Sequence, residues 1–135
     1  MNVLIVFYSR NGVTEKLALA AAVGAVQGRA AIRLRRLPPM PDDQAGDDQP
    51  EWHENRRRME LDYVAPKEAD AVWANAIIVG APARLRTSSS VLKQYADSLA
   101  DIGAQAKMIP LDVSLDLDGA RLFGRRVAES HGSPQ

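Results

Sequence analysis

The sequence predicts an α/β fold built on a doubly wound parallel sheet, and three observations carry that prediction. Two runs, Val3-Leu4-Ile5-Val6-Phe7-Tyr8 and Ala76-Ile77-Ile78-Val79-Gly80, are apolar on both faces, as strands are when helices cover both sides of a sheet. Helical patterns stand between and after these runs, and strand–helix alternation implies parallel strands joined by right-handed crossovers. Each apolar run stops abruptly at a polar loop, and ligands of such sheets bind at the carboxyl ends of the strands, near the point where strand order reverses.

The elements follow in order. The first strand runs from Asn2 to Tyr8. A helix starts near Thr14, with Leu17, Ala20, Ala21 and Gly24 at helical spacing, Glu15 in the first turn where the dipole favours it, and Gly28 as its stop. From Ala30 to Leu37, Ile32 and Leu34 alternate with Arg33 and Arg35, which predicts an edge strand with one wet face. Pro38-Pro39-Met40-Pro41 ends it, and an acidic, polar loop follows from Asp42 to Pro50. The charged stretch from Trp52 to Tyr63, with Arg56-Arg57-Arg58, reads as a solvated turn of helix rather than a ligand-binding basic cluster.

A short helix is predicted over Glu68 to Asn75, with Pro66 near its start and Ala69, Val72 and Trp73 as its apolar positions. The second apolar strand follows. Ser88, Ser89 and Ser90 offer caps for a helix burying Val91, Leu92, Tyr95 and Leu99. A strand over Lys107 to Val113 contains Pro110, which lacks a ladder donor, so it too reads as an edge. Asp116 and Asp118 open a last helix with Leu117, Ala120, Phe123 and Val127 inward and Arg125 and Arg126 near its end. One domain over residues 1–130 with a tail at 131–135 is the expected organisation.

Composition narrows the chemistry. Lys plus Arg and Asp plus Glu both number 17, so the zero net charge argues against binding nucleic acid through overall positive charge. With no cysteine, disulfides, thiolate nucleophiles, Cys-type zinc sites and iron–sulfur clusters are excluded. No apolar run approaches the roughly 20 residues that span a bilayer. The sequence enters a strand at once, with no basic leader, so a cytoplasmic protein is the expectation. His53 and His131 read as surface residues, and no metal site is expected.

The first loop is Ser9-Arg10-Asn11-Gly12-Val13-Thr14. Its one glycine falls short of the three of a dinucleotide fingerprint, and it lacks the Gly-Lys-Ser/Thr of a Walker loop. Phe7-Tyr8-Ser9 has no acid to accept a phosphoryl group. Two hydroxyls, an amide side chain and several backbone N–H groups at a helix N-terminus suit a phosphate monoester. The competing reading is an ordinary strand–helix turn with Ser and Thr as caps.

The second loop is Ala81-Pro82-Ala83-Arg84-Leu85-Arg86-Thr87. With it the chain resembles the flavodoxin-like superfamily, and most closely the WrbA-type FMN-dependent NAD(P)H:quinone oxidoreductases. The resemblance rests on residues 3–12 with Thr14, on Ala69-Asp70-Ala71 leading into Ala76–Arg84, and on Leu92-Lys93-Gln94-Tyr95-Ala96-Asp97. It covers residues 2–37 and 68–100 well and 107–129 loosely. It implies a three-layer flavodoxin-like fold and FMN as cofactor. It further implies that Ser9 and Thr14, with the amides between them, hold the phosphate. Pro82, Ala83, Arg84 and Leu85 would then border the flavin ring. NAD(P)H and a quinone are the implied substrates, and no side chain need act as nucleophile.

Departures from the family pattern qualify these implications. The family's Arg-Phe-Gly-Asn is here Arg84-Leu85-Arg86-Thr87, so a ring-flanking aromatic becomes Leu85, and Arg86 could crowd the ring or reach a phosphate of NADPH. Only one strand precedes the last helix, so four strands are expected instead of five, with the third flavin loop and the family's His-bearing loop absent. A strand edge left unpaired in this way predicts a homo-oligomer. Two other readings stand beside the enzyme: a shortened domain that binds or builds without catalysis, and a flavodoxin-type electron carrier. The absence of strong acidity disfavours the carrier.

Overall fold

A computed structural model describes residues 2–8, 13–37, 57–58, 63–80, 95, 97, 99–100, 106–112 and 114–132. Its strands are β1 (Asn2–Phe7), β2 (Ala31–Arg36), β3 (Ala76–Gly80) and β4 (Lys107–Pro110). Its helices are α1 (Val13–Gln27), α2 (Glu68–Trp73) and α3 (Leu117–Gly132). The four strands form one parallel sheet in the order β2-β1-β3-β4. The apolar runs are the two central strands and both expected edges are edges, so each strand's composition matches its place.

Alternation along the strands sends side chains into two cores. Val3, Ile5, Phe7, Ala76 and Ile78 pack with Leu17, Ala18, Ala21 and Ala25 of α1 and with Ala120, Val127 and Ala128 of α3. Leu4, Val6, Tyr8, Ile77 and Val79 pack on the other face with Ala71, Ala74, Tyr95 and Leu99. Each fully buried Leu, Ile or Val contributes about 1.5–3 kcal/mol relative to exposure, which makes the central pair of strands the most strongly held part of the sheet.

α1 and α3 approach backbone to backbone. A Cβ built on Gly24 would lie 1.7 Å from the Arg121 carbonyl oxygen, and one on Gly124 would lie 1.9 Å from that of Ala21. Only glycine fits at either position.

The structure departs from the sequence reading at several places, each with a local cause. The left-handed residue after α1 is Arg29 (φ 68°) rather than Gly28. The Arg29 N–H donates to the Val26 carbonyl at 2.9 Å and the Ala30 N–H to that of Ala25 at 3.0 Å, the paired bonds of a Schellman closure. Gly28 serves packing instead: a Cβ there would meet the Ala128 Cβ at 2.8 Å.

α2 turns a different face inward from the one its apolar residues suggest. Asp70 and Ala71 are buried, Ala69 is exposed, and Val72 is 69% exposed. The cause lies on β2. Arg33 Nη1 donates to Asp70 Oδ1 at 3.0 Å, Arg35 Nε donates to Oδ2 at 3.0 Å, and the Arg33 guanidinium stacks over Trp73 at 4.3 Å. The arginine face of β2 is therefore covered by α2 rather than wet. In α3, Asp116 caps the Gly119 N–H at 2.7 Å as expected. Leu117, however, is 53% exposed, and the helix runs on through Gly132, so Arg125 and Arg126 lie in its interior.

Candidate cofactor site

β1 and β3 lie side by side, with Phe7 paired with Gly80 at their carboxyl ends. One residue further on, the Tyr8 N–H donates to the Gly80 carbonyl at 2.9 Å. The loops that follow the two strands thus leave the sheet edge next to each other. This is also where the winding reverses, since β2 lies beyond β1 on one side and β4 beyond β3 on the other. A crevice at that point is where open α/β sheets take ligands.

α1 rises from the same edge. It begins at Val13, and Thr14 in its first turn is buried at 3% exposure. The first four N–H groups of a helix have no partners within it, so this end presents donors toward the crevice. Gly80 gives Thr14 its room: a Cβ at Gly80 would lie 3.3 Å from Thr14 Cγ2 and 3.2 Å from Leu111 Cδ2. Of the residues singled out in the two loops, Val13 and Thr14 are placed by the structure, at the start of α1. Ser9, Arg10, Asn11, Gly12, Pro82, Ala83, Arg84, Leu85, Arg86 and Thr87 lie outside the described residues.

Sequence reasoning missed a cluster directly behind this helix end. Glu15, only 4% exposed, accepts hydrogen bonds from both terminal nitrogens of Arg58, that from Nη1 at 2.9 Å. Its Oε2 also accepts from the Tyr63 hydroxyl at 2.6 Å. The Tyr63 ring meets Phe7 edge to face at 5.0 Å. The Arg58 hydrogen bonds hold the Glu15 carboxyl below its ordinary value against the opposing effect of burial, helped by Tyr63 and by the charge of Arg36. Arg58 lies on an exposed turn of helix, as the charge pattern suggests, and with its side chain 45% exposed it still pairs with the buried Glu15. A signal was present in the sequence: Glu15 stands three and seven residues before Ala18 and Ala22, on the stripe of α1 that faces the core. A buried carboxylate there needs a partner.

Among the described residues, no group of three or more His, Asp or Glu side chains could hold a metal ion. None of the described helices is long and apolar enough to cross a membrane.

Solved structures share this arrangement. A flavodoxin from the domain Archaea superposes with a TM-score of 0.51 at 14% identity, covering 98% of this chain and 100% of its own. A flavodoxin-like domain from Synechococcus superposes at 0.52 and 14% identity, covering 95% and 96%. The fold is flavodoxin-like. No family model matches the chain.

Sequence relatives of this flavodoxin-like chain carry a more specific name. An NAD(P)H dehydrogenase (quinone) of Archaeoglobus fulgidus is 35% identical over 95 residues, 70% of this chain and 49% of the relative. Its namesake in Brucella suis is 29% identical over 126 residues, 92% of this chain and 59% of the relative. That of Deinococcus radiodurans is 29% identical over 104 residues, 77% and 52%. The chain spans about half the length of the curated relatives it matches, between 49% and 59% in these three.

Proposed function

We propose that this flavodoxin-like chain binds FMN and acts in a WrbA-type NAD(P)H:quinone oxidoreductase. One observation carries the reading: the two candidate loops leave adjacent strands at the switch point, with the N-terminus of α1 opening onto the same edge. The residues fit a phosphate monoester, because buried Thr14 carries a hydroxyl there and the first-turn N–H groups of a helix have no partners within it. On this reading Ser9 and Thr14 bind the phosphate with the amides of residues 10–13, and Pro82 to Thr87 flank the ring. Bound FMN supplies hydride acceptance from NAD(P)H and electron delivery to a quinone. The protein's part is to orient the flavin and limit water around it. NAD(P)H as reductant puts the activity in the cytoplasm.

The reading is tested by colour and affinity. Purified protein is expected to carry a flavin absorption band or to quench added FMN fluorescence, and then to oxidise NADPH with a benzoquinone. Replacing Ser9 and Thr14 together by Ala is expected to weaken FMN by roughly 2–4 kcal/mol, at about 1.5–3 kcal/mol per bond to a charged group less some repair by water. A colourless protein that leaves FMN fluorescence unchanged sinks the proposal. The half-length match to the quinone dehydrogenases favours one second reading, a flavin-binding domain without turnover. Flavin binding with no NADPH oxidation would select it.

We also infer that the chain pairs with a second copy. β4's outer edge has no strand beside it among the described residues, and an open edge invites pairing. A monomeric mass in light scattering at dilute concentration would overturn this.

A further inference from the structure

Glu15 poses an electrostatic problem for the site just proposed. Helices rise about 1.5 Å per residue, so its Cα lies only about 3 Å along the axis from that of Val13, where α1 begins. The end of a helix that is to receive a phosphate thus has a buried carboxylate directly behind it, and like charges repel through protein more strongly than through water. The carboxyl is held ionised, since Arg58 and Tyr63 both donate to it. Nothing in the structural packing of α1 calls for an acid there, because the neighbouring inward positions are Leu17, Ala18 and Ala21.

Resting on the FMN reading, we propose that Arg58 is a positioning residue that sets affinity for the phosphate by neutralising Glu15. The guanidinium grips Glu15 with two nitrogens, and Tyr63 holds the same carboxylate while its ring rests on Phe7, the last residue of β1. The charge behind the helix end is thereby balanced, and the carboxylate is turned toward Arg58 and Tyr63. Arg58 lies 43 residues beyond Glu15 in sequence, so the segment that carries it reports directly on the cofactor end of α1. The ligand affected is an anion, and a flavin without its phosphate is indifferent to this charge balance.

Riboflavin, which has the ring and ribityl chain but no phosphate, provides the discriminating probe. Dissociation constants for FMN and riboflavin are measured by fluorescence quenching on the full chain, with circular dichroism to confirm folding. Arg58→Ala is expected to weaken FMN by about four- to sixteenfold, the effect of one lost positive charge about 10 Å away at an effective dielectric of about 20–40, and to leave riboflavin unchanged. Glu15→Gln in the Arg58→Ala background is expected to restore FMN affinity. Glu15→Gln alone keeps the side-chain shape and is expected to tighten FMN relative to riboflavin; it carries the test if Arg58→Ala does not fold. Equal loss of both flavins in Arg58→Ala, no rescue in the double variant, or weaker FMN relative to riboflavin in Glu15→Gln overturns the inference alone. A wild-type chain that quenches neither flavin overturns the FMN reading and the inference with it.

Discussion

Gly24 of α1 lies so close to Arg121 of α3 that a Cβ built on it would stand 1.7 Å from the Arg121 carbonyl oxygen. The neighbouring atom is backbone, so no rotamer change relieves the overlap. Gly24→Ala must push α3 away from α1 and disturb the core that holds Ala21, Ala120 and Val127. Overpacking of this kind costs about 1–3 kcal/mol, and a backbone clash lies at or beyond the upper end. We expect a fall in melting temperature of roughly 10 °C, at about 3–4 °C per kcal/mol for a domain of this size. A change under about 2 °C would mean that the helices stand further apart than described.

Arg29 offers a gain in stability. Its φ of 68° lies in the left-handed region, which costs a residue with a Cβ about 1–2 kcal/mol. Glycine removes that cost but adds about 0.4–1 kcal/mol of chain entropy in the unfolded state. The Schellman bonds come from backbone atoms and survive the change. Arg29→Gly is therefore expected to stabilise by about 0.5–1 kcal/mol. In urea titrations the midpoint should rise with the slope unchanged. A lower midpoint would show that the arginine side chain contributes something its backbone geometry does not reveal.

Two buried carboxylates set an acid limit. Burial alone would raise the Asp70 carboxyl above its ordinary 3.8, but the Lys67 N–H and the Arg35 and Arg33 guanidiniums outweigh it, and the net shift is downward. Glu15 is likewise held below its ordinary 4.5 by Arg58. A group whose folded value is depressed adds stability above its unfolded value and loses it as pH falls toward the folded one. Stability from both groups is thus complete at neutral pH and declines once pH drops below about 5. Asp70→Asn is expected to cost about 1–3 kcal/mol at pH 7, since the amide removes the charge and replaces one of the two acceptor oxygens facing Arg33 and Arg35 with a donor. That penalty should shrink as pH falls below the ordinary 3.8 toward pH 3, because the unfolded wild-type chain then takes up a proton that the folded carboxylate resists. Thermal melts of both proteins at the two pH values decide it; a penalty that stays constant would assign it to packing.

Much of the frame could be read from sequence because local pattern and global place agree. Val3–Tyr8 and Ala76–Gly80 are apolar throughout since they are central strands, while Ile32-Arg33-Leu34-Arg35 of edge strand β2 alternates because Ile32 and Leu34 pack on the core and Arg33 and Arg35 reach Asp70. What escaped was set by partners distant in the chain. Asp70 is buried because Arg33 and Arg35, on another element, reach it. Glu15 is buried because Arg58 and Tyr63 fold back over it. Periodicity places Glu15 on the core-facing stripe of α1 but does not name the partners it meets, and an exposed Val72 beside a buried Asp70 reverses what hydropathy suggests. At the site, motif and spacing single out two loops that follow Tyr8 and Gly80, which lie side by side at one sheet edge. Which side chains meet a ligand there depends on loop geometry that no spacing encodes.

Gly80 connects that edge to Thr14 and allows the site to be probed from the described residues. A Cβ at Gly80 would sit 3.2 Å from Leu111 Cδ2 and 3.3 Å from Thr14 Cγ2. Leu111 can yield by rotation, so Gly80→Ala is expected to cost only about 1 kcal/mol in stability, the mild end of overpacking. Thr14 has less freedom, because its χ1 is branched and it is buried in the first turn of α1. If its hydroxyl holds the FMN phosphate, displacing it should weaken FMN by roughly tenfold, about 1.5 kcal/mol, the low end for one hydrogen bond to a charged group. Thr14→Ser removes the crowded methyl and keeps the hydroxyl. The double variant Gly80→Ala with Thr14→Ser should therefore regain most of the FMN affinity. Loss of affinity without recovery would trace the effect to the backbone of the β3 loop and not to Thr14.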